Sequence, residues 1–449
     1  MTRTMASDGR EPGPNSQPPR GSRWTLTGNG LNSLGAVLET IRLGQSRSRA
    51  EVVHHTGLGR GVVAQRVAEL IDVGLVEDTE LSESTGGRPA RRLLLRGDAG
   101  RILVADIGAT SIDVALTDLR GRILASHAEA ADVGDGPDLV LGRVEELFEG
   151  LLEESSGPGD EAAWGIGIGV PGPVEFATGR PVSPPIMPGW NGYPVRERFV
   201  ERYGAPVWVD NDVNIMALGE WRSGAARYHA NIVFVKIGSG IGAGVIADGY
   251  LHRGARGSAG DVGHIQITDD RSVVCRCGNL GCLEALAGGD ALAREAAAAA
   301  ADGRSAYLAG VLAVGGKVSA HDVADGATRG DVLCQELVTR SGHLVGAMLA
   351  GVVNFFNPSL IVVGGGVANA GDQLLAAVRE AVYRRSLPLA TRDLLILPSA
   401  LGGLTGSIGA AAMVADELFS PSQLADTLTR HAPRTLRSSR IVAIGAPTG

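Results

Sequence analysis

The stretch ILVADIGATSIDVALT (residues 102–117) consists of an apolar run, a glycine turn and a second apolar run. The first run predicts a buried strand, and residues 112–117 predict the strand that pairs with it in a hairpin. The same arrangement returns at residues 232–245, around the glycine-rich sequence KIGSGIGAG (236–244). Predicted strands and helices then alternate to about Met413. This repeated design predicts an α/β protein with two similar lobes.

Composition and charge limit the class of protein. The chain has 449 residues, which suffices for two or three domains, and no apolar run reaches the about 18 residues that would cross a bilayer. Residues 1–96 carry 13 Lys and Arg against 10 Asp and Glu, whereas the rest carries 28 against 39. A slightly basic head on an acidic body is typical of a DNA-binding unit joined to another domain. Because the N-terminus lacks the apolar core of a signal peptide and the cysteines are clustered, we expect a cytoplasmic protein.

Residues 24–97 predict three helices followed by a hairpin that ends at residues 92–95. The Pro-, Gly-, Ser- and Arg-rich residues 1–23 before them predict a disordered tail. Ser48 is a candidate N-cap for the second helix, and residues 56–59 predict the turn before the third. The positions predicted to face inward on the first and third helices are Leu34, Val37, Leu38, Ile41, Val63, Val67, Leu70 and Ile71. Three helices and a hairpin make a winged helix-turn-helix.

The third of these helices carries side chains suited to reading DNA. Its outward face is predicted to present Arg60, Val62, Gln65 and Arg66. Arginine pairs bidentately with guanine and glutamine with adenine in the major groove. The hairpin would add Arg88 and Arg91 for a minor groove or for phosphates. The alternative is a winged helix that makes protein contacts or serves dimerisation.

Three glycine turns, each at the end of a predicted strand, are candidates for binding phosphate. Backbone amides in such turns can surround a phosphate, and a carboxylate at the strand end can face a hydrated magnesium ion. The first turn enters a hairpin and not a helix, which excludes a dinucleotide-binding Rossmann motif. A single glycine turn between strands would be an unremarkable feature, but three in one alternating chain favour a shared role. The candidate residues are Asp106, Gly108, Thr110, Gly238, Gly240, Gly242 and Gly365.

The sequence VDNDVN (residues 209–214) lies where a predicted strand leads into a helix. Asp212 is positioned to accept the proton of a sugar hydroxyl as a general base, and Asn211 to bind a neighbouring hydroxyl. The alternative is that the run only caps the helix, a role that Asp and Asn also fill. The spacing leaves both readings open. The loop that contains Asn191 is predicted to shape the same cleft and to supply a further sugar ligand.

His264, Cys275, Cys277 and Cys282 lie within nineteen residues of one another and include three of the four cysteines of the chain. One imidazole and three thiolates suit a closed, tetrahedral structural zinc site with no open position for metal catalysis. The alternative is a set of buried thiols without metal. A zinc ion here would hold Asp261 and Glu284 along one wall of a cleft.

These motifs, in this order, resemble the ROK family of repressors and sugar kinases over about residues 30–415. The resemblance implies an actin/hexokinase-like (ribonuclease H-like) domain at residues 98–419, with lobes at 98–222 plus 398–419 and at 223–397, and a tail at 420–449. It implies a homodimer or homotetramer. It also implies that a sugar is ringed by Asn211, Asp212, Asp261, His264 and Glu284, with Asp212 as base in a kinase.

Two departures from the family pattern affect the expected function. The first turn reads Gly108-Ala109-Thr110-Ser111 where ROK kinases usually have Gly-Gly-Thr-Lys, and Asp261 replaces a glutamate. The expected function is therefore a sugar-responsive transcriptional regulator, more commonly a repressor in this family, that binds a DNA operator and a sugar or sugar phosphate. One alternative is an ATP-dependent sugar kinase with a DNA-binding head, for which Mg²⁺-ATP would be the cosubstrate. Another is a zinc-stabilised protein adaptor.

Overall fold

The computed structural model describes residues 30–46, 48–80, 91–155, 162–314 and 316–431. The predicted disorder of residues 1–23 and the predicted DNA contact of Arg88 lie outside this part of the chain. Within it, no helix is both long enough and apolar enough to cross a membrane.

The N-terminal unit has the three helices and the hairpin that the sequence predicts. The helices are α1 (Gly30–Arg42), α2 (Arg49–Thr56) and α3 (Arg60–Asp72), and strands β1 (Val76–Glu80) and β2 (Arg91–Leu95) pair antiparallel. Ser48 caps α2 in a capping box with Glu51, which satisfies two otherwise unpaired backbone amides. The predicted inward positions are buried, except that Ile71 is partly exposed.

The first large sheet begins with the stretch at residues 102–117. Strands β3 (Arg101–Ile107), β4 (Ser111–Asp118) and β5 (Ile123–Ala130) form consecutive antiparallel pairs, with Ile107 opposite Ile112. The elements that follow are α4 (Pro137–Glu154), β6 (Gly165–Val170), the short pair β7 (Val174–Glu175) and β8 (Arg180–Pro181), α5 (Val195–Tyr203), β9 (Val207–Asn211) and α6 (Asp212–Ser223). The strand order is β5-β4-β3-β6-β9, and β3, β6 and β9 are parallel. Their carboxyl ends therefore bring the first glycine turn and the start of α6 to one edge.

The second large sheet repeats this topology, which confirms the predicted two-lobed α/β class. Its order is β12-β11-β10-β13-β14, with β10 antiparallel to β11 and parallel to β13. The elements are β10 (Ile232–Ile237), β11 (Ile241–Ala247), β12 (Tyr250–Leu251), α7 (Leu283–Ala287), α8 (Gly289–Ala301), α9 (Ala306–Ala313), α10 (Ala320–Thr328), α11 (Val332–Phe356), β13 (Leu360–Gly364), α12 (Asp372–Arg385), α13 (Pro388–Thr391), β14 (Leu395–Pro398), α14 (Thr405–Leu418) and α15 (Leu424–His431).

Helices α6 and α14 cross at the junction of the two lobes. The two helices approach closely because a glycine of each lies against the backbone of the other. A Cβ at Gly219 of α6 would overlap the Thr405 carbonyl oxygen, and a Cβ at Gly409 of α14 would overlap the Ile215 carbonyl oxygen. Val414 of α14 lies against Gly165 and Gly167 on β6, so that α14 also covers the first sheet. Helix α6, which starts at Asp212, is thus held at the junction of the lobes by close backbone contacts with α14.

Residues 420–431, which the sequence predicted only as part of a tail, contain α15. Leu424 and Leu428 are buried in a core that also contains Leu34 of α1 and Ile102 of β3. The ring of His431 stacks on Trp164 with centroids 4.2 Å apart. The N-terminal helices, the first sheet and α15 therefore share one apolar core.

Candidate functional site

Asn211 caps the helix that follows β9. Its Oδ1 accepts hydrogen bonds from the backbone amides of Val213 and Asn214 at 2.9 and 3.3 Å, and its Nδ2 donates to the Gly172 carbonyl at 2.9 Å. The capping reading that the sequence left open is therefore right for Asn211. Asp212 is the first residue of α6; its Oδ1 also accepts a hydrogen bond from the Val213 amide at 2.9 Å, and its Oδ2 makes a contact outside the helix.

Asp212 pairs with Lys236 of the second sheet. The Lys236 ammonium lies 2.5 Å from Asp212 Oδ2, and the Asp212 side chain is 6% exposed. Burial alone would lower the pKa of Lys236, but the carboxylates of Asp212 and Asp106 outweigh it and the pKa is raised. Sequence reasoning treated Lys236 only as the first residue of a glycine motif. Its contact with Asp212 joins the lobes at the predicted sugar site.

Asp106 lies at the end of β3, beside the first glycine turn. Within the described part of the chain its Oδ1 is buried without a hydrogen-bond partner. Burial raises the pKa of this carboxyl to about 7. The turn itself is closed by a hydrogen bond from the Gly108 amide to the Ser111 carbonyl at 2.9 Å, and Thr110 is exposed.

The second and third glycine turns lie against each other. The Gly238 amide donates to the Gly240 carbonyl at 2.9 Å, and Gly365, at φ +93°, abuts the backbone of Ile237. A Cβ at Gly365 would come within 2.6 Å of the Ile237 carbonyl oxygen, and the positive φ favours glycine there. At Gly242 a Cβ would meet Val213 of α6 at 3.0 Å. The second turn thus packs on both the third turn and the helix of Asp212.

The remaining predicted sugar ligands occupy different surroundings. Glu284 Oε2 accepts a hydrogen bond from the Ile241 amide at 3.0 Å, directly below the second turn. Asp261 is half-exposed, with its Oδ1 3.8 Å from His264 Nε2. Asn191 is exposed, and its Oδ1 accepts from the Ser183 amide at 2.8 Å. Asp261, His264 and Glu284 therefore lie on the second lobe, and Asn191 is tied to its own loop.

The spacings among His264, Cys275, Cys277 and Cys282 match a tetrahedral zinc site. The Cys277 and Cys282 sulfurs are 3.8 Å apart, and Cys275 Sγ is 3.5 Å from His264 Nδ1. Zn–S bonds of about 2.3 Å and Zn–N bonds of about 2.0 Å at tetrahedral angles require S···S and S···N distances of roughly 3.8 and 3.5 Å. All four ligand atoms lie within 4.8 Å of one another. The donor set therefore fits zinc bound through His264 Nδ1, which leaves Nε2 directed toward Asp261.

The ROK family pattern matches residues 102–417. This match covers both sheets, the three glycine turns and the cysteine cluster. The chain belongs to the ROK family.

Relatives of two kinds share this ROK domain. A putative xylose repressor of Caldicellulosiruptor sp. is 31% identical over 387 residues, covering 86% of this chain and 95% of the relative. A solved ROK family transcriptional regulator, described as a homologue of the Escherichia coli Mlc protein, is 28% identical with TM-score 0.75 and covers 89% of this chain and 98% of its own. A ROK glucokinase from Streptomyces griseus, solved with glucose and AMPPNP, is 30% identical with TM-score 0.62 and covers 70% and 99%.

Two contacts near the first glycine turn and the start of α6 bear on whether this chain binds Mg²⁺-ATP, as a sugar kinase would. The carboxylate of Asp212 is already paired with the Lys236 ammonium. Ser111, where the kinases usually have lysine, donates its hydroxyl to Asp113 Oδ2 at 3.1 Å. Asp212 and Ser111, two groups that a magnesium ion or a phosphate could otherwise contact, therefore already have partners within the protein.

A second ion pair between the two lobes was missed by sequence reasoning. Arg253, just after β12, donates from Nε to Asp210 Oδ2 at 2.7 Å, and its guanidinium lies 3.7 Å from the centre of the Phe176 ring. Asn214 Nδ2 donates to the other Asp210 oxygen at 2.8 Å. Asp210 precedes the predicted ligands by one residue, but the sequence offers no local signal for a partner 43 residues away.

The predicted DNA-reading face of α3 is only partly free. Arg60, Val62 and Gln65 are exposed, although the Gln65 amide donates to Glu69. Arg66 is instead 14% exposed, and it donates to both carboxylate oxygens of Glu69 and to Ser33 Oγ on α1. The prediction that Arg66 points outward is wrong, because these partners hold it against α1. On β2, Arg91 lies 3.3 Å from Asp78.

Proposed function

We propose that this ROK protein is a sugar-responsive DNA-binding repressor. The N-terminal unit would act as a winged helix-turn-helix that reads an operator, in a homodimer or homotetramer, and the ROK domain would bind a sugar or sugar phosphate. One observation supports this most directly: likeness to the regulator covers 89% of the chain, whereas likeness to the glucokinase covers 70%. The match to the regulator extends over more of this chain than the match to the glucokinase, as expected if both the regulator and this chain join a DNA-reading unit to a ROK domain.

The sugar would lie in the cleft between the two sheets. Asp212 and Asn211 start α6 on one side, and Asp261, His264 and Glu284 lie on the other. Zinc would hold His264, and the Ile241 amide of β11 donates to Glu284. Carboxylates and an imidazole N–H offer the acceptors and the donor that sugar hydroxyls require. A ligand that contacts both sides binds the closed arrangement better and can shift the two lobes.

A thermal-shift screen against a panel of sugars tests this proposal. A bound sugar at a hundredfold excess over its Kd is expected to stabilise the protein by about 2.7 kcal/mol. Asp212→Asn is expected to weaken binding of the same sugar by roughly tenfold to a hundredfold, since a hydrogen bond to a charged group is lost. Asp393→Asn, an exposed carboxylate on the second lobe, is the control and should leave the affinity unchanged. Equal affinity in all three proteins would contradict the assignment of Asp212.

Operator binding is expected to depend on Arg60. Arg60→Ala should lower operator affinity by about 1–3 kcal/mol, the range for a bidentate contact to one base pair, as measured by fluorescence anisotropy at fixed salt. Arg392→Ala removes an exposed arginine of the second lobe and should have no effect. If both variants bind the operator as the wild type does, α3 is not the reading helix.

The likeness to the glucokinase supports a second candidate function, an ATP-dependent sugar kinase. Asp212 would then take the proton of the attacking hydroxyl. Release of ADP that requires sugar and disappears in Asp212→Asn would establish this activity. The pairing of Asp212 with Lys236 favours the regulator.

A further inference from the structure

Lys236 places a positive charge where the two lobes meet. It lies on β10, and its ammonium contacts Asp212 at the start of α6. The chain has only two lysines, Lys236 and Lys317, and the second is exposed. In an arginine-rich chain, a lysine at this position fits a need for a compact point charge with three donors rather than a planar fork.

Three carboxylates act on that ammonium. Asp106 and Asp113 are opposite each other on β3 and β4, and both favour the charged form of Lys236 together with Asp212. A group of carboxylates of this kind is what usually holds a magnesium ion. Here a divalent cation would have to displace the ammonium or lie beside a like charge, and either event is unfavourable.

We propose that Lys236 decides which ligands the cleft accepts, by taking the place of a divalent cation among Asp106, Asp113 and Asp212. The cleft then binds a sugar without Mg²⁺-ATP. Lys236 orients Asp212 as a hydrogen-bond acceptor and occupies the oxygen that a general base would use. This inference rests on the proposed sugar-binding function and explains how one carboxylate serves recognition instead of phosphoryl transfer.

Manganese binding to the full-length, zinc-loaded protein tests this role without any sugar or DNA. Free Mn²⁺ is followed by electron paramagnetic resonance. The wild type and the matched control Lys317→Met are expected to show no binding below millimolar Mn²⁺. Lys236→Met is expected to gain roughly tenfold or more in Mn²⁺ affinity, because the repelling charge is gone. Adding Asp106→Asn should remove the gain, and Lys236→Arg, which keeps the positive charge, should still exclude Mn²⁺.

Three results would overturn the proposal. The first is micromolar Mn²⁺ binding by the wild type that Asp106→Asn abolishes. The second is a wild-type sugar affinity that rises when Mg²⁺-ATP is added. The third is an unchanged Mn²⁺ affinity in folded Lys236→Met. Should that variant fail to fold, the two wild-type measurements still decide. Failure of the wild type to bind any sugar would count against the proposed function, while the Mn²⁺ measurement is independent of it.

A separate cluster of buried charges connects the N-terminal helices to the far end of α6. Arg222 Nη2 donates to both oxygens of Asp416 on α14, at 2.5 and 2.7 Å, and Arg42 Nη2 lies 2.7 Å from Asp416 Oδ1. Asp416 is 5% exposed and Arg42 10%. Arg42 is the last residue of α1, and Arg222 lies in the last turn of the helix that begins at Asp212.

From this second observation we infer that Asp416 transmits sugar binding to the DNA-reading unit. Helix α6 carries Asp212 and Arg222 about 15 Å apart, at 1.5 Å per residue, and behaves as one rigid element. Because α6 packs on α14 through backbone contacts and Arg222 holds Asp416, a shift of α6 on sugar binding carries the Asp416 carboxylate with it and displaces it relative to Arg42. The position of α1 changes with it. This inference also rests on the proposed function.

The ratio of operator affinities without and with the effector sugar measures this coupling, and ratios of about 5 to 150 are typical of allosteric proteins. Asp416→Asn and Arg42→Met are expected to bring the ratio close to 1 without changing sugar affinity in the absence of DNA. The control Glu145→Gln breaks a similarly buried pair, with Arg198 at 2.6 Å between α4 and α5, and should keep the wild-type ratio. A wild-type ratio in both folded variants would overturn the inference. A ratio of 1 in the wild type would instead overturn the proposed function.

Discussion

Removal of zinc is expected to abolish sugar binding and to destabilise the second lobe. Between Asp261 and α7, the described backbone has one short 3₁₀ turn and two isolated bridges, Gln266 with Cys282 and Val274 with Leu280. Backbone hydrogen bonds such as Ile267 N–H to the Gly281 carbonyl also hold this segment, and a bound zinc would add the cross-link between His264 and the three cysteines. Structural zinc contributes about 10–16 kcal/mol of apparent binding free energy in small domains. Without it, Asp261 and His264 lose their fixed positions. The measurement is sugar titration calorimetry before and after chelation, with metal content determined in parallel.

Cys282→Ser should reproduce the effect of chelation, because one of four ligands is lost. Cys334→Ala is the matched control: Cys334 is a fully buried thiol on α11 outside the cluster, so its loss should cost some stability and leave zinc content and sugar affinity unchanged. A metal-free protein that still binds sugar with wild-type affinity would refute the role given to the cluster.

Gly409→Ala is expected to destabilise the protein by about 3 kcal/mol or more, at or beyond the upper end for overpacking. The added methyl would overlap the Ile215 carbonyl oxygen, far inside the 3.0 Å that real Cβ atoms essentially never breach, and the nearest atoms are backbone. Relief requires α6 and α14 to separate, which would also move Asp212. Urea unfolding followed by circular dichroism measures the loss.

Gly351→Ala provides the control for this substitution. Gly351 is also inside a helix, α11, but a Cβ there has no heavy atom within 4 Å. Alanine should therefore stabilise the protein by up to about 1 kcal/mol through helix propensity alone. Equal behaviour of the two variants would mean that the helix crossing tolerates separation.

The sequence was sufficient for features that depend on local order. Apolar periodicity predicted the hairpin of β3 and β4 and its repeat at β10 and β11, and ligand spacing predicted a cysteine and histidine cluster whose geometry suits zinc. Contacts between distant segments left no such signal. Lys236 reaches Asp212 across 24 residues and two sheets, and Arg42 reaches Asp416 from the other end of the chain. Arg66 has the type and spacing of a DNA-reading residue, but Ser33 and Glu69 compete for it.

Helix α15 shows the same limit in another form. Residues after 419 have no long apolar run, and only Leu424, Thr427 and Leu428 are buried among the helix residues. The two leucines are four positions apart, which places them on one face of a helix. Two leucines alone do not predict a buried helix; they are buried because α15 packs against α1.

The core shared by α1, β3 and α15 affects how the protein unfolds. Leu34, Ile102 and Leu424 belong to one continuous set of buried side chains. The N-terminal unit is therefore not an independent domain joined to the rest by a linker alone. Heating should unfold the N-terminal unit together with the first sheet in a single cooperative transition. A protein truncated to begin at residue 98 would expose to water the apolar surface that α1 covers. Evolution of a regulator into a kinase, or the reverse, would then require substitutions on this apolar surface as well as loss or gain of the N-terminal unit.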